Sequence, residues 1–345
     1  MSLETVLSRA ARWLAQSGIQ EPSGGVARYY RSDLGRNHPV STEITGYALS
    51  ALVWLNRPAE AAAAARFLTR QAWSGGAMPF ELDPAGYTYF FDCGIIVRGL
   101  LAAWRYDGEQ EYLDVAAAIG KTMLADFCSD DGSINPILVL PGKQPLPHDP
   151  LRWSQSPGCY QIKAALAWRE LYEVTGEADF RCAYDWVLAG ALDSYAGFLP
   201  GHTDPLKVVD RLHAFLYFLE GILPCEDERR AAALCDGIHR VACHLADLAP
   251  QFERSDVYAQ LLRIRLFADW LGIAPLDRAA AEREASTLTG FQAASDDPRI
   301  DGGFYFGRKG GTWLPYVNPV STAFAAQALA LWENGASTTA WQHLI

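Results

Sequence analysis

The sequence lacks the marks of several large functional classes. No run of four or more Lys or Arg occurs, and 29 basic residues face 40 acidic ones, a formal net charge of −11. Neutralising nucleic-acid phosphates takes clustered Lys and Arg, so no nucleic-acid partner is expected. No apolar stretch reaches the roughly 18 residues of a membrane-spanning helix, and no basic N-terminal segment leads into an apolar run. No membrane partner is expected, and the cytoplasm is the default location. There is no C-x-x-C pair. The seven cysteines, at 93, 128, 159, 182, 225, 235 and 243, are odd in number. They read as small buried thiols rather than as a disulfide framework. Walker A, G-x-G-x-x-G, G-x-S-x-G and H-E-x-x-H are all absent, which argues against nucleotide-dependent and serine-hydrolase chemistry. No cofactor and no metal is expected.

What is present is a 345-residue chain, half of it hydrophobic, long enough to bury a sizeable core. Its apolar residues recur at helical spacing. Leu3 to Ser17 is amphipathic and ends near Gly18. Ser41 or Thr42 is placed to cap a helix reaching Leu55, and Pro58 opens an Ala-rich one reaching Ala72. The pattern repeats as helix pairs. Phe91 to Tyr106 pairs with Glu109 to Phe127, Ser156 to Val174 with Ala178 to Leu192, and Lys207 to Leu223 with Glu226 to Leu248. Phe252 to Leu271 pairs with Asp277 to Phe291. The last helix, Ser321 to Glu333, has the first helix of the chain as its partner, closing a ring. Turns at Gly24-Gly25, Gly75-Gly76, Asp131-Gly132, Ala196-Gly197 and Gly302-Gly303 separate the pairs.

Alternate helices begin near residues 41, 91, 156, 206, 252 and 318, a period of roughly 46–66 residues that suits a helical hairpin plus a variable loop. Several of these are rich in Gly, Ala, Ser and Cys, as closely packed inner helices would be. Their partners carry more charge and read as an outer layer. Short stretches such as Gly303 to Phe306 are candidate strands in small hairpins. The expected fold is all-α, one domain over 1–345.

The alternation of helices with Gly-aromatic turns resembles the (α/α)6 toroid of six-hairpin glycosidases and the related lyases and epimerases. The resemblance is carried by SGGVARYY at 23–30, SGGAMPFEL at 74–82, YAGFLPG at 195–201 and DGGFYFG at 301–307. The segment FDCGIIVRGLLAAW at 91–104 is similar to an inner helix of such proteins. Terpene cyclases and prenyltransferases share this architecture, but neither D-D-x-x-D nor D-x-D-D is found. The resemblance implies an oligosaccharide or small-sugar substrate in a central cleft, with small loops or β-hairpins at its mouth.

Inner-helix N-termini in such a ring point toward one mouth, and acidic residues recur there: Glu43, Asp92 and Asp210. Cleaving a glycosidic bond takes a proton donor and a carboxylate base or nucleophile, which such carboxylates could supply. A helix start also favours acids for capping and for the dipole. His213 follows Asp210 by three residues and shares its helix face, so it is a candidate general acid or base. Substrate contacts are expected from His38, Glu81 and His202 in loops. Tyr87, Trp153, Tyr160 and Trp313 are candidates for stacking on sugar faces. Arg211, with Arg28, Arg98, Arg152 and Arg254, could pair a sugar carboxylate. Cys235, His239 and Cys243 form an i, i+4, i+8 stripe, read as a buried apolar seam rather than a zinc site. Asp301 reads as a turn residue rather than a Ca²⁺ ligand.

These features point first to a glycoside hydrolase with paired carboxylates. A uronate or sugar epimerase, isomerase or lyase, using His213 or Tyr160 with an arginine, is the alternative. A non-enzymatic glycan-binding or scaffold protein is the third reading, since fold does not fix function. A monomer or homodimer is expected.

Overall fold

The computed structural model describes residues 3–129, 133–249, 251–335 and 341–345. The Asp131-Gly132 turn therefore lies outside the described residues. Twelve α-helices are found among them: α1 (Leu3–Gln16), α2 (Thr42–Trp54), α3 (Pro58–Arg66), α4 (Phe90–Asp107), α5 (Gln110–Phe127) and α6 (Ile162–Thr175), then α7 (Ala178–Ser194), α8 (Pro205–Ile222), α9 (Arg229–Leu248), α10 (Ser255–Trp270), α11 (Arg278–Thr289) and α12 (Pro319–Asn334). None is long and apolar enough to cross a membrane. Backbone contacts divide the chain into two compact units. A central unit comprises Gln20–Arg28 and Pro39–Ser194. A terminal unit comprises Met1–Ile19, Tyr29–His38 and Tyr195–Ile345.

In the central unit α2 packs on α4, and α4 on α6, while α3, α5 and α7 cover them as hairpin partners. The small residues explain the close packing. A Cβ on Gly94 would stand 2.4 Å from the Ala164 carbonyl oxygen, and one on Gly99 would stand 2.6 Å from that of Gly46. Any larger residue would force α4 off its neighbours. Inner helix α4 is buried at every residue from Asp92 to Leu101, whereas α5 buries only a stripe through Tyr112, Ala116, Ile119, Met123 and Phe127. Glu170, fully buried on α6, is held by Arg98 at 2.7 Å and by Arg105. Arg98 is thus committed to the core rather than to a substrate. A three-stranded antiparallel sheet, β3 (Tyr87–Tyr89), β4 (Ile137–Val139) and β5 (Gln144–Pro145), leads directly into α4.

The terminal unit repeats this plan with α8, α10 and α12 packed side by side. Helix α1 packs on α12, as the sequence pairing required. Arg263 of α10 is fully buried between α8 and α12. It donates to Glu220 at 2.5 Å, to Gln327 at 3.0 Å and to the Ile345 carbonyl at 3.1 Å. Two small sheets complete the unit. One orders β2 (Arg36–Asn37), β1 (Tyr30–Arg31) and β9 (Tyr316–Val317). The other orders β6 (Phe252–Arg254), β7 (Gly307–Lys309) and β8 (Thr312–Trp313).

Several local expectations differ from the structure. Phe252 to Arg254 form strand β6 rather than the first turn of α10, because they pair with Gly307–Lys309. The sixth helix starts at Ile162, not Ser156, since Gly158 is extended and the chain before it forms short 3-10 turns. Ser41 occupies the cap position of α2 without a side-chain cap bond. Gly303 to Phe306 yields isolated bridges at Phe304 and Tyr305, with the strand itself beginning at Gly307. Cys93, Cys159 and Cys225 are buried thiols, but Cys182, Cys235 and Cys243 are exposed. The Cys235–His239–Cys243 stripe therefore faces solvent rather than forming an apolar seam. Among the described residues no three potential metal ligands come together. Asp301 does more than shape its turn, receiving Arg9 at 2.6 Å and Arg12 at 3.0 Å.

Candidate active site

Two constellations of titratable side chains stand out, one in each unit. Both grow from the same local device. An extended segment ends at the start of an inner helix, and an acid follows at the helix's second or third residue: Glu43 in α2, Asp92 in α4 and Asp256 in α10.

In the central unit, Glu43 and Asp92 act on each other electrostatically. Asp92 is only 6% exposed. Burial drives its carboxyl well above the ordinary carboxylate range, the Glu43 charge adds to the rise, and Arg28 opposes it. Glu43 keeps some solvent contact, yet it is enclosed closely enough that burial pushes its carboxyl up to about 7 against the pull of Arg28. Two acids so placed resist double ionisation. The pair holds at least one proton near neutrality. Asp92 Oδ2 has no hydrogen-bond partner, which fits a neutral acid able to donate to an incoming group.

Aromatic rings surround the pair. Arg28 lies 4.9 Å over the Phe80 ring and 3.4 Å from Glu81. Phe80 packs 5.2 Å from Tyr89, the residue that precedes α4. The Tyr89 phenol is pushed up to about 12, by burial and then by Asp92. Tyr160 is fully buried, donates to the Ser156 carbonyl at 3.1 Å and meets Trp153 edge-on at 5.0 Å. Burial raises its phenol, with Cys159 and Asp92 adding. Tyr87 lies on β3, 44% exposed. Glu43, Glu81, Tyr87, Asp92, Trp153 and Tyr160 thus all belong to one unit.

The terminal unit holds the second constellation. Arg254, at the end of β6, clamps Asp256 with Nε to Oδ1 at 3.0 Å and Nη2 to Oδ2 at 2.5 Å. Its Nη1 reaches Asp210 at 2.6 Å. Burial alone would raise the Asp256 carboxyl, but Arg254 and then His213 outweigh it, and the net shift is downward. His213 shares a 2.7 Å hydrogen bond between Nδ1 and Gln260 Oε1. Burial, first among the causes, depresses its pKa despite the nearby Asp256. A neutral imidazole that donates from Nδ1 keeps its Nε2 lone pair as a base. Asp210 is the outer partner, with half its side chain exposed.

The other expected contacts of this unit are local. Arg211 sends Nε and Nη2 to the Phe198 carbonyl at 3.0 and 2.6 Å and covers the Phe198 ring, so its guanidinium ties down the 195–201 loop. His202 accepts from the Asp204 amide at 2.8 Å. His38 packs 4.6 Å from Tyr29. Trp313 stacks on Tyr305 at 5.2 Å. Asp256, Gln260 and Tyr89 were missed from sequence, and the roles of Arg28 and Arg254 were seen only in outline. The signal for Asp256 was there. FERSDVYA places an acid after an extended segment at a helix start, as TYFFDCG does.

No protein-family model and no curated protein matches the chain. Solved structures do. A cellobiose 2-epimerase from Spirochaeta thermophila superposes with a TM-score of 0.69 at 15% identity, over 96% of this chain and 98% of that one. An α-amylase from Clostridium perfringens gives 0.64 at 13%, over 96% and 98%. A polysaccharide lyase gives 0.59 at 12%, over 97% and 98%. At these identities the likeness fixes architecture and not chemistry, and those three proteins carry three different reactions. The chain shares the (α/α)6 toroid fold of these structures.

Proposed function

We propose that this chain is a carbohydrate-active enzyme that hydrolyses glycosidic bonds with Asp92 as general acid and Glu43 as base or nucleophile. The observation that carries the reading is the buried pair itself. Its environment pushes both carboxyls upward, and Asp92 is the more deeply buried of the two. Environments that separate two acids in this way assign the donor and the base. In the reaction the Asp92 proton passes to the leaving oxygen as the C–O bond breaks. The Glu43 carboxylate either attacks the anomeric carbon or takes a proton from the attacking water. Phe80, Tyr89 and the exposed Tyr87 offer ring faces to a sugar, and Arg28 offers a cation. A cytoplasmic monomer or homodimer, one domain, acting on an oligosaccharide or small sugar belongs to the same proposal.

The test is release of reducing sugar from an oligosaccharide panel. Asp92→Asn should lower turnover by at least about 100-fold, within the range for losing a general acid. It should lower turnover far less on dinitrophenyl glycosides, whose leaving groups need no proton. Equal losses on both substrate types would contradict the acid role.

One observation favours a second reading, an epimerase or isomerase. His213 stands neutral on Gln260 within reach of the Arg254 charge, as a base removing a proton next to a carbonyl would. Incorporation of solvent deuterium into recovered sugar, lost in His213→Ala but kept in Asp92→Asn, would favour this reading over hydrolysis.

A further inference from the structure

Helices α9 and α11 both pack on α10, but the facing side chains are short. Ala242 and Ala246 of α9 and Ala280 of α11 leave a cavity of about 260 Å³ between them, floored by Tyr258 and Leu261 of α10. At roughly 30 Å³ per molecule that equals about eight or nine waters, room for an organic ion of about four to six carbons.

Its polar lining comes from Arg265, Arg283 and Glu284. Arg265 and Glu284 are nine-tenths buried. Arg265 donates only from Nε, to both Glu284 oxygens at 2.9 and 3.1 Å. Among the described residues no hydrogen bond reaches its Nη1 or Nη2. Arg283 is exposed at the rim. Burial pushes the Glu284 carboxyl up to about 7 against Arg265, so near neutrality it only partly offsets the two guanidiniums. The cavity thus pairs a cationic end with an apolar wall of Ala242, Leu245, Ala246 and Leu261. Neither candidate acid pair contributes to it.

We infer that this cavity binds a small organic carboxylate. The carboxylate sits on the Nη nitrogens of Arg265 with Arg283 closing over it, and the short apolar body lies on the alanine wall. Two planar nitrogens facing a carboxylate are the geometry that arginine recognises best.

The probe is butanoate, titrated into the whole protein carrying ¹³C-labelled alanine methyls. The expected result is saturable binding in the millimolar range, with shifts at the methyls of Ala242, Ala246 and Ala280. Ala246→Leu, at an exposed position, should fill the cavity and abolish those shifts. Arg283→Ala should weaken binding by about tenfold, the order for one lost charge-assisted contact. It provides an independent arm because it removes only a rim side chain. Three results would overturn the inference. One is no saturation by about 20 mM, beyond the millimolar range. Another is binding that survives both substitutions unchanged. The third is inorganic phosphate binding as tightly as butanoate, which would show that the apolar wall plays no part.

Discussion

Asp92 and Asp256 occupy nearly the same place, the third and second residues of the inner helices α4 and α10, and both are buried. Their carboxyls nevertheless move in opposite directions. Burial raises both, so the neighbours decide. Asp256 faces a guanidinium that reaches it through two hydrogen bonds, and that pairing overcomes the loss of water. Asp92 faces Glu43, while Arg28 acts on it without a direct bond among the described residues. The lesson is that an acid at an inner-helix start becomes an ion holder or a proton donor according to whether an arginine lies on the strand before it. Arg254 directly precedes α10, whereas Tyr89 precedes α4.

Breaking the donor gives the largest expected effect. Asp92→Asn should cost about 10²- to 10⁴-fold in hydrolysis of an unactivated oligosaccharide, measured as kcat, with the far-UV circular dichroism of the wild type retained. Removing the clamp in the other unit comes next. Arg254→Met leaves Asp256 buried without its cation, and a broken buried pair costs about 3–5 kcal/mol. The midpoint of urea unfolding should fall accordingly. The equivalent change at Arg28, which makes no close pair with Asp92, should cost far less.

Glu43→Gln sharpens the contrast through pH. The Glu43 carboxyl is raised from 4.5 to about 7 in the fold. Between those values the folded protein binds a proton that the unfolded chain has released, so stability falls as pH rises through this window. An amide at this position does not ionise and carries no such penalty. The variant should match wild type near pH 4 and exceed it by about 1–3 kcal/mol at pH 8, a range discounted for the partial exposure of Glu43. Thermal melts at the two pH values check this. The same pair predicts that wild-type hydrolysis rises with pH as Glu43 ionises near 7. Asp210→Asn should have the smallest effect on stability. Its carboxylate is half exposed, and such a pair contributes about 0–1 kcal/mol, which denaturant titration would resolve.

Much of the fold was legible because helical period and glycine spacing are local. The stripe of α5 and the Gly94 and Gly99 contacts of α4 could both be anticipated from residue type. Strand β6 could not, since Phe252 to Arg254 are held extended by Gly307–Lys309, more than fifty residues away. The acids Glu43 and Asp92 were visible as repeats at helix starts, but their protonation was not. It depends on burial and on which partner arrives from another segment. Asp210 looked equivalent to them in sequence, yet it lies on the sixth residue of α8 and remains half in solvent. Asp256 was overlooked because its segment read as continuous helix from Phe252, which hid the strand-to-helix junction that marks the position.

The most direct test of the account is a carboxyl ¹³C NMR titration of protein labelled at aspartate Cγ, with Asp92→Asn and Asp256→Asn used to assign the two signals. The account predicts that the Asp92 carboxyl titrates well above the ordinary carboxylate range. It predicts that the Asp256 carboxyl stays ionised down to below pH 3.8, its ordinary value. Asp92 ionising at an ordinary pKa, together with Asp256, would contradict it.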